Sequence, residues 1–503
     1  MGERLPIIYV RGFGGGQGGI DKAADDPFYG FNEGSTHIRV GAKGKPKFYQ
    51  YEGPMLRLML EEDYQLRVGG SQQLELINAE PETLEPASVW IYRFYDANAG
   101  TFGEDPEPYE ISKAARGLAD FISLVREKTK GNPRVNLVAH SMGGLICRTT
   151  LQRIFNQPET VVSKLCTIGT PHGGIDPKLG GGVGDWIMKN LGPNGSDIFA
   201  PDVMRDYMLP ENYDWRKDLR KGSDDWDPRI MVGSFPPQRV LSIVGTNARD
   251  YEVAHGLSSL AVGEQSDGLV AIANGYVKTS PRAYVHRAHS GRYGLVNSEE
   301  AYQNLKRFLF GTLRVEISFE GLDPAMLKDR IWQADARLSI RELPVLIHEQ
   351  TADHFCPVDL NAEAKDIATP FAPVPLITMF LTPSRTKKTC RYALGLGVNS
   401  LKQQSGWFGL RDHLEQIADW DDSLIIDLII DQSTGDVTEG SYGWNSKISG
   451  LIEDQAQMPN SLGWTSTGEG AEKVWRGEVE LPESVATMLG QDAKLTFAVN
   501  RWD

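Results

Sequence analysis

The sequence predicts an α/β fold over residues 1–311, with a mostly parallel sheet flanked by helices, and a second, β-rich domain over residues 312–503. In the first region, short apolar runs alternate with segments whose apolar residues recur every three or four positions, which is typical of strand–helix repeats. In the second region, apolar residues recur with a period of two, which indicates antiparallel strands. A chain of 503 residues also exceeds one ordinary core, so two domains are expected.

The elements of the first region follow one another in regular order. Predicted strands occupy residues 5–10, 89–95, 135–139, 164–168, 239–245 and 283–286. Predicted helices occupy residues 54–64, 109–128, the segment that follows Ser141 and ends at residue 155, and 299–310. The glycine-rich loop 11–16 continues into polar, acidic residues without an immediate helix, which argues against a dinucleotide site.

The predicted strand 135–139 leads directly into Ser141, and a helical pattern begins after it. Such a strand–turn–helix segment holds the serine backbone in a strained conformation, and the small residues Ala139 and Gly143 keep the turn free of clashes. The hydroxyl then projects above the edge of the sheet, and the amides that open the helix favour a negatively charged oxygen. Ser141 is therefore the predicted nucleophile.

The residues around Ser141 resemble the nucleophile elbow of α/β-hydrolases, G-x-S-x-G, with Ala139 at the position of the first glycine. Residues 11–14, Arg-Gly-Phe-Gly, are similar to the His-Gly-x-Gly loop of lipases, with arginine in place of histidine. The resemblance implies an oxyanion hole formed by the backbone amides of Phe13 and Met142.

Two later segments resemble the acid and the base of a lipase triad. The string Ser-Asp-Gly-Leu-Val contains Asp267, and a loop before the last helix contains His289. The chain order Ser141, Asp267, His289 is that of an α/β-hydrolase. The resemblance therefore implies a serine nucleophile, a histidine base and an orienting aspartate.

Three further residues compete with this assignment or lie close to it. Asp250 follows the predicted strand 239–245, a place where many hydrolases keep the acid, but its context matches the lipase pattern less well than that of Asp267. His286 is near His289 but is expected inside a strand, as a structural residue. His140 precedes the nucleophile and is expected to pack under the turn.

Residues 175–238 lose the strand–helix rhythm and contain an amphipathic patch around Trp186. An insertion at the carboxyl side of the sheet is typical of a lid, and a structural subdomain is the alternative. The string Gly-Thr-Pro-His-Gly-Gly just before it resembles a lipase segment at the mouth of the site. His172 and Trp186 are therefore expected near substrate, with packing as the other role open to His172.

The second domain is predicted to be an antiparallel β-sandwich, because short alternating strands are separated by long loops. Its predicted strands occupy residues 313–319, 337–340, 376–381, 391–398, 423–430, 474–481 and 494–499. The acidic cluster Asp419, Asp421 and Asp422 is a candidate calcium site, although a solvated turn is favoured. This domain resembles no family, and lipid docking, partner binding and covering of the hydrolase are the roles open to it.

Composition excludes several classes of function. The formal charge of −15 and the absence of a basic cluster argue against a nucleic-acid partner. No apolar run approaches the roughly 18 residues of a membrane span, and the start of the chain has no signal-peptide core, so a cytoplasmic protein is expected, or one exported without a cleaved leader. Peripheral membrane contact and any oligomeric state are compatible with the sequence.

The four cysteines show no metal-ligand spacing, and no metal or cofactor is expected. Cys147 and Cys166 lie in apolar patterns and are expected to be buried free thiols. The sequence does not decide whether Cys356 and Cys390 form a disulfide.

These observations predict a serine carboxylester hydrolase of the lipase or esterase type, acting on lipid-like or other acyl esters through an acyl-enzyme. A phospholipase or glycolipid deacylase is a narrower form of this hypothesis, and an acyltransferase with the same triad is a second. A non-catalytic binding protein on a hydrolase fold is the alternative from another class, although such a protein has no need of all three triad residues.

Overall fold

The structure is a computed structural model, and it describes residues 3–13, 17–40, 44–68, 72–96, 110–175, 196–222, 224–250, 265–327, 330–341, 343–361, 373–382, 389–404 and 413–502. The chain divides into two compact units. The first unit comprises residues 3–282 and 286–305, and the second comprises residues 306–503 with the short segment 283–285. The domain boundary at residue 311 stays a prediction.

The α/β region contains a seven-stranded sheet. Its strands are β1 (Ile7–Val10), β4 (Gln65–Arg67), β5 (Ser88–Tyr92), β6 (Val135–His140), β7 (Val162–Ile168), β8 (Val240–Gly245) and β9 (Arg282–Val285). The order across the sheet is β4-β5-β1-β6-β7-β8-β9, and the pairs from β4 to β8 are parallel. Because parallel strands end at one edge, the loops after β1, β6, β7 and β8 converge there, which is where such sheets bind ligands.

The helices of this region are α1 (Gln17–Asp25), α2 (Pro54–Glu62), α3 (Gln72–Asn78), α4 (Ile111–Lys128), α5 (Met142–Thr149), α6 (Pro201–Met208) and α7 (Glu299–Phe310). Helix α4 buries one apolar stripe, at helical spacing, and every residue of α5 is buried. A π-helical turn, Thr150–Ile154, continues α5. No helix in the described part of the chain is long and apolar enough to cross a bilayer. The predicted α/β fold is confirmed.

One expectation for the start of the chain was wrong. Helix α1 begins at Gln17, where the sequence indicated a polar loop. Burial of Ala23 and Ala24 stabilises this glycine-bearing segment as a helix, since packing outweighs weak local propensity. The region that follows contains an antiparallel pair of strands, β2 (Ser35–Val40) and β3 (Pro46–Tyr51), which form a sheet of their own.

The second unit contains two antiparallel sheets. Their strands are β10 (Leu313–Glu320), β11 (Ile331–Ile340), β12 (Leu346–Gln350), β13 (Val358–Asp359), β14 (Val374–Leu381), β15 (Thr389–Gln404), β16 (His413–Ile430), β17 (Val437–Trp444), β18 (Asn460–Ser461), β19 (Thr465–Thr467), β20 (Val474–Glu480) and β21 (Lys494–Arg501), and one helix, α8 (Glu483–Leu489), lies between the last two. The orders are β14-β10-β21-β20-β19 and β12-β11-β15-β16-β17-β18, with β13 paired to β11. Alternate residues of β10 and β16 lie in one shared hydrophobic core, which makes the pair of sheets a sandwich.

The acidic cluster of the second unit is not the solvated turn that the sequence favoured. Asp419, Asp421 and Asp422 lie inside β16, where the pairing with β15 shifts register and leaves Asp419 in a bulge. Asp422 accepts hydrogen bonds from Ser446. Among the described residues, no group of three acidic, histidine or cysteine side chains has the arrangement of a metal site.

All four cysteines are free thiols, so Cys356 and Cys390 do not form a disulfide. Cys147 and Cys166 are fully buried, as expected, and burial raises the pKa of both thiols. Buried thiols of high pKa carry little thiolate, so neither is suited to nucleophilic chemistry.

Among the described residues of the sandwich, the most buried ion pair joins neighbouring strands β15 and β16. Arg391 donates from Nε and Nη2 to the two carboxylate oxygens of Asp427, at 2.6 and 2.7 Å. The Asp427 side chain has no exposed surface, and that of Arg391 is 7% exposed. The two residues are directly paired across the strands, so the ion pair fixes their register.

We expect Asp427→Asn to destabilise the second unit by about 3–5 kcal/mol, because it leaves the Arg391 charge buried without its partner. Chemical denaturation measures the change. The control is Glu439→Gln on the neighbouring strand β17, where the side chain is exposed and the expected change is within about 0.5 kcal/mol. Equal stability of the two variants would contradict a structural role for the pair.

Candidate active site

Ser141 sits between strand β6 and helix α5 with φ 52° and ψ −128°, a backbone conformation that L-residues rarely adopt. Its amide donates to the carbonyl of Ile168 on β7, and its own carbonyl accepts from the Thr170 hydroxyl at 2.8 Å. These two bonds tie the strained turn to the neighbouring strand. The serine side chain is held at the carboxyl edge of the sheet, in line with the sequence pattern.

The glycines after Ser141 are required by close packing. A Cβ on Gly143 would lie 2.3 Å from the carbonyl oxygen of Val10, and a Cβ on Gly144 would lie 2.2 Å from the Thr170 hydroxyl. Neither neighbour can move without displacing a strand end or losing the bond to Ser141. The start of α5 therefore packs directly against the ends of β1 and β7 only because these positions carry no side chain.

Ser141, His289 and Asp267 form one hydrogen-bonded row. His289 Nε2 lies 3.0 Å from Ser141 Oγ, and its Nδ1 lies 2.8 Å from a carboxylate oxygen of Asp267. The three residues are 6%, 3% and 1% exposed. Burial strengthens the electrostatic interactions within the row, because solvent screens them less.

Asp267 is held by its backbone surroundings as well as by His289. Its second carboxylate oxygen accepts from the amides of Leu269 and Val270, at 3.0 and 2.7 Å. The His289 amide also donates to the Asp267 carbonyl at 2.8 Å. The carboxylate is thus fixed in one orientation, with one oxygen directed at the imidazole.

The two rival residues lie elsewhere. The Asp250 carboxylate accepts from the Asn247 side chain at 2.7 Å, in a local turn. His286 is exposed, immediately after β9, and its Nδ1 lies 3.2 Å from the Thr246 hydroxyl. The structure brings neither of them into the row with Ser141.

The expected oxyanion amides lie on the two segments that border Ser141. Met142 is the first residue of α5, so its N–H has no acceptor within the helix. The loop with Phe13 follows β1, and a Cβ on Gly12 would lie only 2.6 Å from Ser141 Cβ. This glycine lets the loop backbone approach the serine, as an oxyanion hole requires.

His140 lies next to the row, where the sequence placed a packing residue. Its Nε2 is 3.2 Å from the His289 carbonyl oxygen, and the two rings are 5.1 Å apart. Burial, with the neighbouring His289, lowers the pKa of His140 well below 6.5, so its ring is neutral and donates to that carbonyl. His140 thereby supports the backbone that carries His289.

His172 has no exposed surface, and its ring nitrogens face the Thr167 hydroxyl at 2.9 Å and the Arg148 guanidinium at 3.4 Å. Burial lowers its pKa well below 6.5. This surrounding favours the packing role, since contact with substrate would require the neighbouring elements to move. Trp186, the other residue expected near substrate, lies outside the described residues.

Arg148 is a structural residue of this region that sequence reasoning did not identify. Its guanidinium donates to the carbonyls of Pro228 and Ile230, at 2.7 and 2.8 Å, and so ties the predicted insertion to helix α5. Burial lowers the pKa of Arg148 to about 10. The signal in the sequence was a charged residue in a helix whose preceding residues, 142–147, are all apolar or small.

Comparisons with known proteins agree with this architecture. Residues 79–297 match the model of the alpha/beta hydrolase family. A search of curated proteins found no match.

Solved structures similar to the chain include three bacterial proteins. A protein from Listeria innocua is 17% identical, with a TM-score of 0.27, over 61% of this chain and 94% of its own. A putative cell surface hydrolase from Lactobacillus plantarum is also 17% identical, with a TM-score of 0.25, over 61% and 91%. The phospholipase PlaB from Legionella pneumophila is 13% identical, with a TM-score of 0.30, over 82% and 90%.

We expect Ser141→Gly to be more stable than Ser141→Ala by about 1 kcal/mol, because glycine relieves a positive-φ strain that alanine keeps. Both variants lack the hydroxyl, so the comparison isolates the backbone. Thermal unfolding measures the difference. A glycine variant no more stable than the alanine variant would show that the turn stores no such strain.

Proposed function

We propose that the chain is a serine hydrolase of carboxylic esters, since residues 79–297 match the model of the alpha/beta hydrolase family. The observation that carries the proposal is the row from Ser141 Oγ through His289 to Asp267, with distances of 3.0 and 2.8 Å. A serine hydroxyl is a weak nucleophile at neutral pH. An imidazole within hydrogen-bond reach makes the oxygen more nucleophilic, because it accepts the hydroxyl proton during the attack.

In the proposed reaction, Ser141 Oγ attacks the acyl carbon of the ester while His289 Nε2 accepts the hydroxyl proton. The tetrahedral intermediate collapses, His289 returns the proton to the leaving alcohol, and an acyl-serine remains. Water then attacks the acyl-serine with His289 again as the base, which releases the acid and restores Ser141. Asp267 holds Nδ1 protonated throughout, so Nε2 is free to accept.

The amides of Phe13 and Met142 are the proposed donors to the oxyanion. The close approach of Gly12 to Ser141 and the position of Met142 at the start of α5 support this role. A donor of this kind is worth about 3–4 kcal/mol in comparable sites. The chemistry needs no cofactor.

The substrate class that we propose is a lipid-like acyl ester. The predicted insertion is rich in tryptophan and methionine, which suits an apolar acyl chain. Arg148 on helix α5 donates to the carbonyls of Pro228 and Ile230 in this insertion. These hydrogen bonds hold that part of the insertion against the helix that follows Ser141. Activity on esters of increasing acyl length tests this preference.

A fluorophosphonate probe is expected to label the wild-type protein and not Ser141→Ala, because the probe reacts with an activated serine. Hydrolysis of p-nitrophenyl esters should fall to background in the same variant. Ser290→Ala, next to His289, is the control and should keep both signals. Labelling that persists in a folded Ser141→Ala protein would contradict the assignment of Ser141 as the nucleophile.

We expect Asp267→Asn to lower kcat/KM on these esters by about 10⁴-fold, whereas Asp250→Asn stays close to wild type. The asparagine amide donates to Nδ1, which moves the imidazole proton to Nε2 and blocks its action as a base. Steady-state kinetics at neutral pH measures both variants. Equal losses in the two, or a loss in Asp250→Asn alone, would overturn the choice of acid.

A further inference from the structure

The sheet formed by β2 and β3 leaves one apolar face open. Ile38 is paired directly with Phe48, and Val40 with Pro46, so these side chains share a face. Ile38 is 57% exposed, Val40 76% and Phe48 62%. Two isolated strands are marginally stable in water, and neighbouring large apolar side chains that stay exposed commonly mark a contact surface.

The opposite face carries positive charge. Arg39 is paired directly with Lys47, and both are exposed, as is Lys45 immediately before β3. Residues 35–40 and 44–51 include no aspartate or glutamate, although the whole chain has a formal charge of −15. Like charges directly across a strand pair destabilise it, so a negative partner would stabilise this arrangement.

The base of the same two strands is attached to the unit that contains the serine site. His37 Nδ1 lies 3.3 Å from the Arg287 guanidinium and 3.8 Å from the Glu300 carboxylate. The Tyr51 ring lies 5.2 Å from the guanidinium carbon of Arg57. Since Arg287 is two residues before His289, the hairpin is fixed to the segment that supplies the base of the row.

We infer that this docking hairpin, residues 35–40 and 44–51, binds an anionic lipid surface. The apolar face enters the boundary between headgroups and acyl chains, and the long basic side chains extend to the lipid phosphates. Each basic residue near such a surface contributes about 1 kcal/mol at physiological ionic strength. The inference rests on the proposed function only for the lipid-like nature of the substrate, which docking would bring beside Ser141.

A second copy of the chain is the other occupant to consider. The three exposed apolar side chains offer on the order of 300 Å². A stable protein–protein interface needs about 800 Å² on each partner. The area is therefore too small for a stable dimer, whereas insertion into lipid requires no complementary protein surface.

The test is flotation of the full-length protein with vesicles of phosphatidylcholine, with and without phosphatidylglycerol. The apolar variant is Ile38→Thr with Phe48→Thr, which keeps strand propensity. Its control is Leu451→Thr, since Leu451 is an equally exposed apolar residue, at 61%, in the second unit. The charge variant is Arg39→Gln with Lys47→Gln.

The charge control is Lys447→Gln with Arg476→Gln, both exposed residues of the second unit. Hydrolysis of a water-soluble p-nitrophenyl ester is measured for every variant, and sedimentation without lipid measures self-association.

We expect the wild-type protein and both controls to float with the anionic vesicles, and less with pure phosphatidylcholine or at high salt. Both hairpin variants should lose vesicle affinity by roughly tenfold or more while keeping soluble-ester turnover. Failure of the wild type to float, or equal floating of hairpin and control variants, overturns the inference. A hairpin-dependent dimer without lipid overturns it in favour of a second copy. A wild-type protein that floats with the vesicles but does not hydrolyse the soluble ester would refute the proposed function and leave this inference standing.

Discussion

The strained turn at Ser141 is the constraint on which the site depends. A positive φ at a serine costs on the order of 1–3 kcal/mol, so the turn persists only because the surrounding structure holds it. The bonds to Ile168 and Thr170 and the side-chain-free surface of Gly143 and Gly144 provide that support. The same geometry directs the hydroxyl above the sheet edge and aims the first amides of α5 at the space beside it.

The remaining members of the site are positioned by backbone contacts rather than by long side-chain networks. Asp267 is fixed by two backbone amides of its own loop. His289 is fixed by the hydrogen bond from its backbone amide to the Asp267 carbonyl, and by His140. These contacts leave little freedom for the imidazole, so the proposed proton transfer starts from a preorganised geometry of His289 and Ser141. Arrangement of this kind is a large part of the rate enhancement in hydrolytic enzymes.

The docking hairpin contacts Arg287 and Glu300 through His37, and Arg287 lies two residues before His289 in the chain. The whole chain has a formal charge of −15, so its net charge opposes approach to an anionic surface, whereas the basic side chains of the docking hairpin favour it. Docking there would set the orientation of the first unit on the lipid. Orientation of this type delivers an insoluble ester to Ser141 without a high affinity for any single lipid molecule.

Sequence reasoning identified the features that local pattern controls. Three features could be predicted: the strand before Ser141, the small residues after it, and the order Ser141, Asp267, His289. They depend on local sequence patterns and on the order of motifs along the chain. The helix at Gln17 was missed because buried alanines, not propensity, stabilise it. Asp419 was misassigned to a turn because a bulge inside a long strand resembles one in composition.

By itself, the sequence determined the fold class, the candidate nucleophile and the likeness to hydrolases, since these follow from periodicity and from residues adjacent in the chain. Tertiary structure decided which acid faces His289, that His172 is buried against Arg148, and that the strands β2 and β3 stand exposed. The physical reason is that these outcomes depend on distances between residues far apart in the chain, and packing, not local preference, sets those distances.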